Sequence, residues 1–156
     1  MTPDRLWKLL HLFFAFSYVG SLVVAEWNGR AARATQDWTQ RALLFQIIHL
    51  SSRVGGFGSL VLLGVFGNLN SIGLGYSMAS GVWLRWVNGL WLVAVLSMAL
   101  LNVANSGKLV TASRLAASGG SAEGYESALA RWRFGNMIQS ILYLALLCLM
   151  VFHWPS

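Results

Sequence analysis

The sequence predicts an all-α integral membrane protein, a four-helix antiparallel bundle, from three observations. Hydrophobic residues make up 56% of the chain and charged residues only 10%, with a mean hydropathy of +0.60. A soluble domain of 17.1 kDa has a high surface-to-volume ratio and needs roughly 25% charge to cover itself. The apolar residues also fall into four long runs separated by polar connections. Finally, eight Trp and four Tyr exceed what a small soluble core needs but suit two interfacial belts. The length allows one transmembrane domain, residues 1–156, and no second one.

The first helix is expected over residues 6–25, after Pro3 and Asp4, which favour a helix start. Arg5 and Lys8 ahead of an apolar run also fit a secretory leader ending near Ala25. The run is long for a leader, however, and no small-x-small site closes it, so a retained helix is the expectation. A polar stretch over 26–40 follows, then a second helix over 41–67, long enough to cross a core of about 30 Å with tilt. The uncharged connection 68–81 leads to a third helix over 82–105. The connection 106–133 is charged, and its centre, 116–121, is small and expected to be flexible; an interfacial helix can start near Tyr125. The fourth helix covers 134–152 and ends at His153, Trp154 and Pro155.

Charge suggests the orientation. Arg30, Arg33, Arg41, Lys108, Arg114, Arg131 and Arg133 fall on the side of the first and third connections, against Arg5, Lys8 and Arg85 on the other. The positive-inside bias puts both long connections in the cytoplasm and both termini outside, in a bacterial inner membrane. The formal net charge of +6 is thereby read as topological, with the lipid bilayer as partner and no nucleic acid. A membrane complex or a homo-oligomer remains open as a further partner. The single Cys148 excludes an internal disulfide and a CxxC pair.

Packing is expected along helix 2, where Ser51, Ser52, Gly55, Gly56, Gly58, Ser59, Gly64 and Gly67 permit close helix approach in lipid. Polar residues within the apolar runs are the candidate site. Arg53 lies twelve residues beyond Arg41, about 18 Å along a helix. Near a bilayer centre it would cost about 2.5–3.5 kcal/mol, so it is expected to face the interior; the other readings are that it snorkels or that the helix starts elsewhere. Gln46, His49 and Arg53 share one helical stripe that Gly56 continues. Asn102 and Asn105 on helix 3, with Asn136 and Gln139 on helix 4, complete a candidate polar cavity near Glu26. The rival reading is a structural network that satisfies itself.

His11 lies near the other end of helix 1, with Tyr18 two turns deeper. A neutral imidazole whose second nitrogen is fixed by a hydrogen bond can ligate haem iron, though helix–helix bonding is an equally ordinary use. His11 and His49 are expected at different depths, an awkward pair for one haem. No HExxH, nucleophile elbow or carboxylate pair is present.

The run Trp7-Lys8-Leu9-Leu10-His11, followed by Tyr18 and Gly20, resembles the first helix of the small bacterial four-helix membrane protoporphyrinogen oxidases and their CopD-like relatives. Arg133-Phe134-Gly135-Asn136 and the terminal Pro155 are similar to that family's fourth helix. The resemblance implies a haem b served by His11 as metal ligand, with electrons passing from a porphyrinogen into the membrane. Where the family carries a lysine early in helix 3, residues 82–91 hold Trp83 and Trp86 and no lysine, and Met137 replaces an acidic residue. These replacements favour a non-enzymatic accessory or scaffold subunit of a bacterial membrane complex. The alternative is a haem b-associated redox protein, with His11, His49 and Arg53 around the cofactor.

Overall fold

A computed structural model describes residues 3–76 and 81–152, and every regular element in them is a helix, with no strand. The closing His153, Trp154 and Pro155 lie outside the described residues. Four helices are long and apolar enough to cross a membrane: α1 (Pro3–Ala34), α2 (Trp38–Gly73), α3 (Val82–Ala117) and α4 (Tyr125–Val151). Two of them, α2 and α3, pass through a π-helical stretch, Ser52–Gly58 and Met98–Val103 respectively, and these two stretches touch. Such wider turns relax the i→i−4 ladder locally.

The helices are longer than the apolar runs. At 36 residues, α2 and α3 each extend about 54 Å. Residues 26–34, 38–40, 106–117 and 125–133, expected as connections, are helical. Their charges occupy one face of each helix while the other face is buried. On α4 the buried positions are Tyr125, Ala128, Leu129, Trp132, Gly135, Gln139, Leu142 and Leu146, a spacing of three and four that continues without a break from the charged end into the apolar run. A polar composition there reflects an amphipathic helix rather than a loop.

Short turns with satisfied backbone groups stop α2 and α3. Beyond Gly73, Gly75 takes φ +82°, and the Tyr76 and Gly75 amides donate to Ser71 and Ile72 carbonyls, each at 3.0 Å. Beyond Ala117, Gly119 takes φ +86°, with Gly120 donating to Leu115 at 2.9 Å and Gly119 to Ala116 at 3.1 Å. Both are Schellman caps, which need a left-handed residue that glycine adopts without strain. The centre 116–121, expected to be flexible, is thus hydrogen-bonded.

The α1–α2 turn is built around Arg41. Asp37 caps α2 by accepting from the Thr39 amide at 2.8 Å. Arg41 Nε then donates to the Ala32 carbonyl at 3.1 Å and its Nη2 to the Thr35 carbonyl, satisfying acceptors that the end of α1 leaves free. The guanidinium also lies 4.2 Å from the Trp38 ring centroid and 5.5 Å from that of Tyr125. Arg41→Ala should therefore cost about 2 kcal/mol, from the lost charge-assisted bonds and cation–π contact, read as thermal stability in detergent. Arg41→Lys should recover less than half, because an ammonium does not reproduce the fork. Parental stability in Arg41→Lys would reduce the role to a bare charge.

Side-chain contacts show α1 and α2 running in opposite directions: His11 meets Gly67, Ser21 meets Gly56, and Ala32 meets Arg41. Two clusters form the core. One joins Ala25, Ala32, Phe45, Ile48, Leu109, Ala128 and Trp132 at the charged end. The other joins Tyr18, Leu60, Leu63, Ala94, Met98 and Leu142 within the apolar runs. In each, an indole fills the space beside a glycine. A Cβ on Gly29 would lie 2.4 Å from Trp132, and one on Gly64 would lie 2.1 Å from Trp91. The small residues of α2 thus seat partners from α1 and α3, Gly55 and Gly56 on Ser21 and Gly64 on Trp91; the nearest atom to a Cβ on Gly58 belongs to its own helix.

Candidate functional site

The polar residues of the apolar runs separate into four groups. The deepest is a closed junction at Gln139, which is fully buried. Its Oε1 accepts from the Tyr18 hydroxyl at 2.6 Å, and its Nε2 donates to the Ala94 carbonyl at 3.0 Å and to Ser97 Oγ at 2.8 Å. One amide therefore ties α1, α3 and α4 together. Satisfied buried amides of this kind fix helix rotation because any slip strands a polar atom.

The second group lies one turn nearer the charged end. Asn102 Nδ2 donates to Asn136 Oδ1, and Gly135 leaves room for it: a Cβ there would lie 2.7 Å from Asn102 Oδ1. Asn105 turns back on its own helix, donating to the Leu100 and Leu101 carbonyls at 3.1 and 2.9 Å. Asn102 Oδ1, Asn105 Oδ1 and Asn136 Nδ2 are buried without a protein partner among the described residues. The structure thus brings Asn102 to Asn136, with Gln139 on the next turn of α4.

Arg53 and Gln46 belong to a third, outer group, not to the interior. Arg53 is exposed, and Gln46, also exposed, accepts from Arg114 Nη2 at 2.7 Å. The buried face of α2 carries Ala42, Phe45, Ile48 and Ser52. The stripe 46–49–53 is one residue further along, which rotates it by about 100° from that face. Because Ser21 meets Gly55 and Gly56, Arg53 stands within about a turn of the level where charge reappears on α1 at Glu26. It borders the uncharged stretch instead of lying at its centre, so the expected interior position is replaced by an edge position that an arginine reaches cheaply.

His49, half-buried, lies on the stripe of that third group but faces α3. Its Nδ1 lies 3.0 Å from Ser106 Oγ, and the same hydroxyl lies 3.0 Å from the Val103 carbonyl.

His11 forms the fourth group, at the other end. Its Nδ1 lies 3.0 Å from the Leu63 carbonyl, an acceptor only, so Nδ1 carries the proton and Nε2 the lone pair. Gly67 admits the ring, since a Cβ there would be 2.9 Å from Cε1. The imidazole lines a cavity of about 470 Å³ together with Lys8, Asn68, Asn88, Trp91 and Met150. Asn68 Nδ2 donates to Asn88 Oδ1 at 2.8 Å and to the Gly64 carbonyl at 2.9 Å; Trp91 Nε1 donates to the Leu60 carbonyl at 2.8 Å. A volume in this range with an apolar wall and a few fixed polar groups suits a small ligand. Asn68 and Asn88 were not singled out in the sequence. Asn68 falls at the expected start of a connection, but α2 continues to Gly73 and aims it at Asn88 of α3; an asparagine on a helix inside an uncharged run is the available signal.

His11 and His49 stand in separate neighbourhoods, with Leu63 and Gly67 around one and Ser106 and Gly107 around the other. Among the described residues no cluster of three His, Cys, Asp or Glu is assembled for a metal ion. Comparisons with protein-family models, curated proteins and solved structures find no match.

Proposed function

We propose that the chain is a multi-pass protein of the bacterial inner membrane, an antiparallel four-helix bundle that holds haem b at His11 in support of membrane electron transfer. The supporting observation is the fixed imidazole: the Leu63 carbonyl accepts from Nδ1, which leaves Nε2 as the nitrogen for a metal, and the ring lines a cavity of about 470 Å³. A carbonyl that accepts from one ring nitrogen orients a ligating imidazole. Lys8 is the cation on the cavity wall for a propionate, and Met150 of α4 is a second soft donor there. Bound haem would supply one-electron chemistry, while Asn68, Asn88 and Trp91, held by their own bonds, would keep the wall rigid.

Freshly purified protein should show a Soret band with reducible α bands. His11→Ala should remove or broaden it while the protein still accumulates. An unchanged spectrum would eliminate His11 as ligand, and a parent protein free of haem would sink this reading.

A non-enzymatic accessory or scaffold subunit is the second reading, and the outward face of α2 favours it. Arg53 is an exposed cation bordering an apolar run, beside the exposed Gln46–Arg114 pair, as a contact with another membrane subunit requires. Orientation follows from the seven-to-three basic bias. In a Cys148→Ser background, cysteines placed at Arg33 and Ser121 should resist an impermeant thiol reagent in intact spheroplasts, whereas one at the exposed Leu74 should react. Labelling of the first two would reverse the topology.

A further inference from the structure

A second concave site lies between α1 and α4, at the border between the charged end and the apolar runs. Its volume is about 310 Å³, and Glu26, Arg33, Arg133 and Asn136 form its polar wall, with Leu22 and Met137 on the apolar side. Its charges are available. Arg30–Glu26 is the ion pair found among the described residues, at 2.8 Å through Glu26 Oε1, which leaves the other carboxylate oxygen as an acceptor. Arg33 and Arg133 are both exposed, with no acidic partner among the described residues. Asn136 spends its oxygen on Asn102, while its Nδ2 remains a donor without a protein partner. Beyond Met137, exposed Val23 on α1 and Ile141 and Leu144 on α4 continue as apolar surface.

Two guanidiniums and one carboxylate at one end, with an apolar track leading away, match a zwitterionic amphiphile. Guanidiniums bind a phosphodiester through paired N–H donors. The carboxylate selects a headgroup that carries N–H donors of its own. Ethanolamine offers an ammonium; choline has no N–H, and a glycerol headgroup has no cation. We propose that this groove is a phosphatidylethanolamine site, with the phosphate on Arg33 and Arg133, the ammonium on Glu26, and an acyl chain along Leu22 and Met137. The assignment rests on the membrane reading above but is independent of haem.

The test is native mass spectrometry of the purified full chain titrated with phosphatidylethanolamine, phosphatidylglycerol and phosphatidylcholine of matched chain length. Phosphatidylethanolamine should be retained about tenfold better than either competitor. The double variant Arg33→Gln, Arg133→Gln should lose that preference, while Lys108→Gln with Arg131→Gln, outside the groove, should keep it. Glu26→Gln should shift the preference towards phosphatidylglycerol, which a purely structural glutamate would not do. Equal retention of all three lipids by the parent, or a preference untouched by Glu26→Gln, would overturn the site. Equal binding of free phosphoethanolamine would assign the groove to a soluble phosphate instead. Co-flotation with phosphatidylethanolamine vesicles separates the two levels: a chain that floats without headgroup selectivity loses only this site, and one that does not float loses the membrane reading as well.

Discussion

Gly64→Ala should cost about 3 kcal/mol, through one added carbon. Its Cβ would sit 2.1 Å from Trp91 Cε2 and 2.4 Å from Nε1, well inside van der Waals contact. The indole cannot yield in place, because Nε1 is bonded to the Leu60 carbonyl at 2.8 Å on the same helix. Overpacking a close-packed site costs about 1–3 kcal/mol, and stranding a buried donor adds about 1–3 kcal/mol. Gly20→Ala is the control: a Cβ there has no neighbour within 4 Å, so stability should stay level or rise slightly with helix propensity. Thermal unfolding in detergent reads both. Trp91→Phe in the Gly64→Ala background should restore part of the loss; if it restores none, the clash is not the cause. Since Gly64 and Trp91 also line the His11 cavity, the same variant should reduce haem content under the proposed function.

Gln139→Leu is expected to cost about 2–3 kcal/mol although leucine matches glutamine in size. The change removes the acceptor of the buried Tyr18 hydroxyl and the donor to Ala94 and Ser97. An unsatisfied buried group bears its full desolvation penalty. Adding Tyr18→Phe should recover more than half of the loss, because it removes the stranded hydroxyl, and the double-mutant cycle should show coupling above about 0.5 kcal/mol. Strict additivity would mean that the Tyr18–Gln139 bond does not hold the helices together.

Four apolar helices were legible because uncharged runs of this length have few other solutions. Asn102, Asn105, Asn136 and Gln139 stand out in the sequence as polar residues in apolar runs, but not their partners: Asn102 meets Asn136, while Gln139 bonds Tyr18, Ala94 and Ser97. Helix length was not. Arg30, Arg33, Arg114, Arg131 and Arg133 suggested loops, yet each shares a helix with buried Ala32, Leu109, Ala128 or Trp132. Charge density alone does not distinguish a connection from an amphipathic helix in water. Helix rotation was likewise hidden. Gln46, His49 and Arg53 form a true stripe, but a one-residue offset separates it from the face that Phe45, Ile48 and Ser52 bury. That offset is set by where Gly56 meets Ser21 and Met98, a tertiary fact with no local signature. His11 lies at the end away from the charged cluster, and its carbonyl partner at Leu63, fifty-two positions away, has no sequence signal.

The core cluster at the charged end has a mechanical consequence. From Glu26 to the end of α1 at Ala34, from Lys108 to the end of α3 at Ala117, and from Arg133 back to Tyr125, the helices run eight or nine residues past the first charged position beyond the apolar run, about 12–14 Å at 1.5 Å per residue. With Phe45, Ile48, Leu109 and Trp132 packed inside it, this projection needs no lipid for its rigidity. In the proposed membrane it would act as a stiff pedestal, raising the 118–124 turn clear of the headgroups. Anything that docks on that tip would meet packed helix ends instead of a flexible loop.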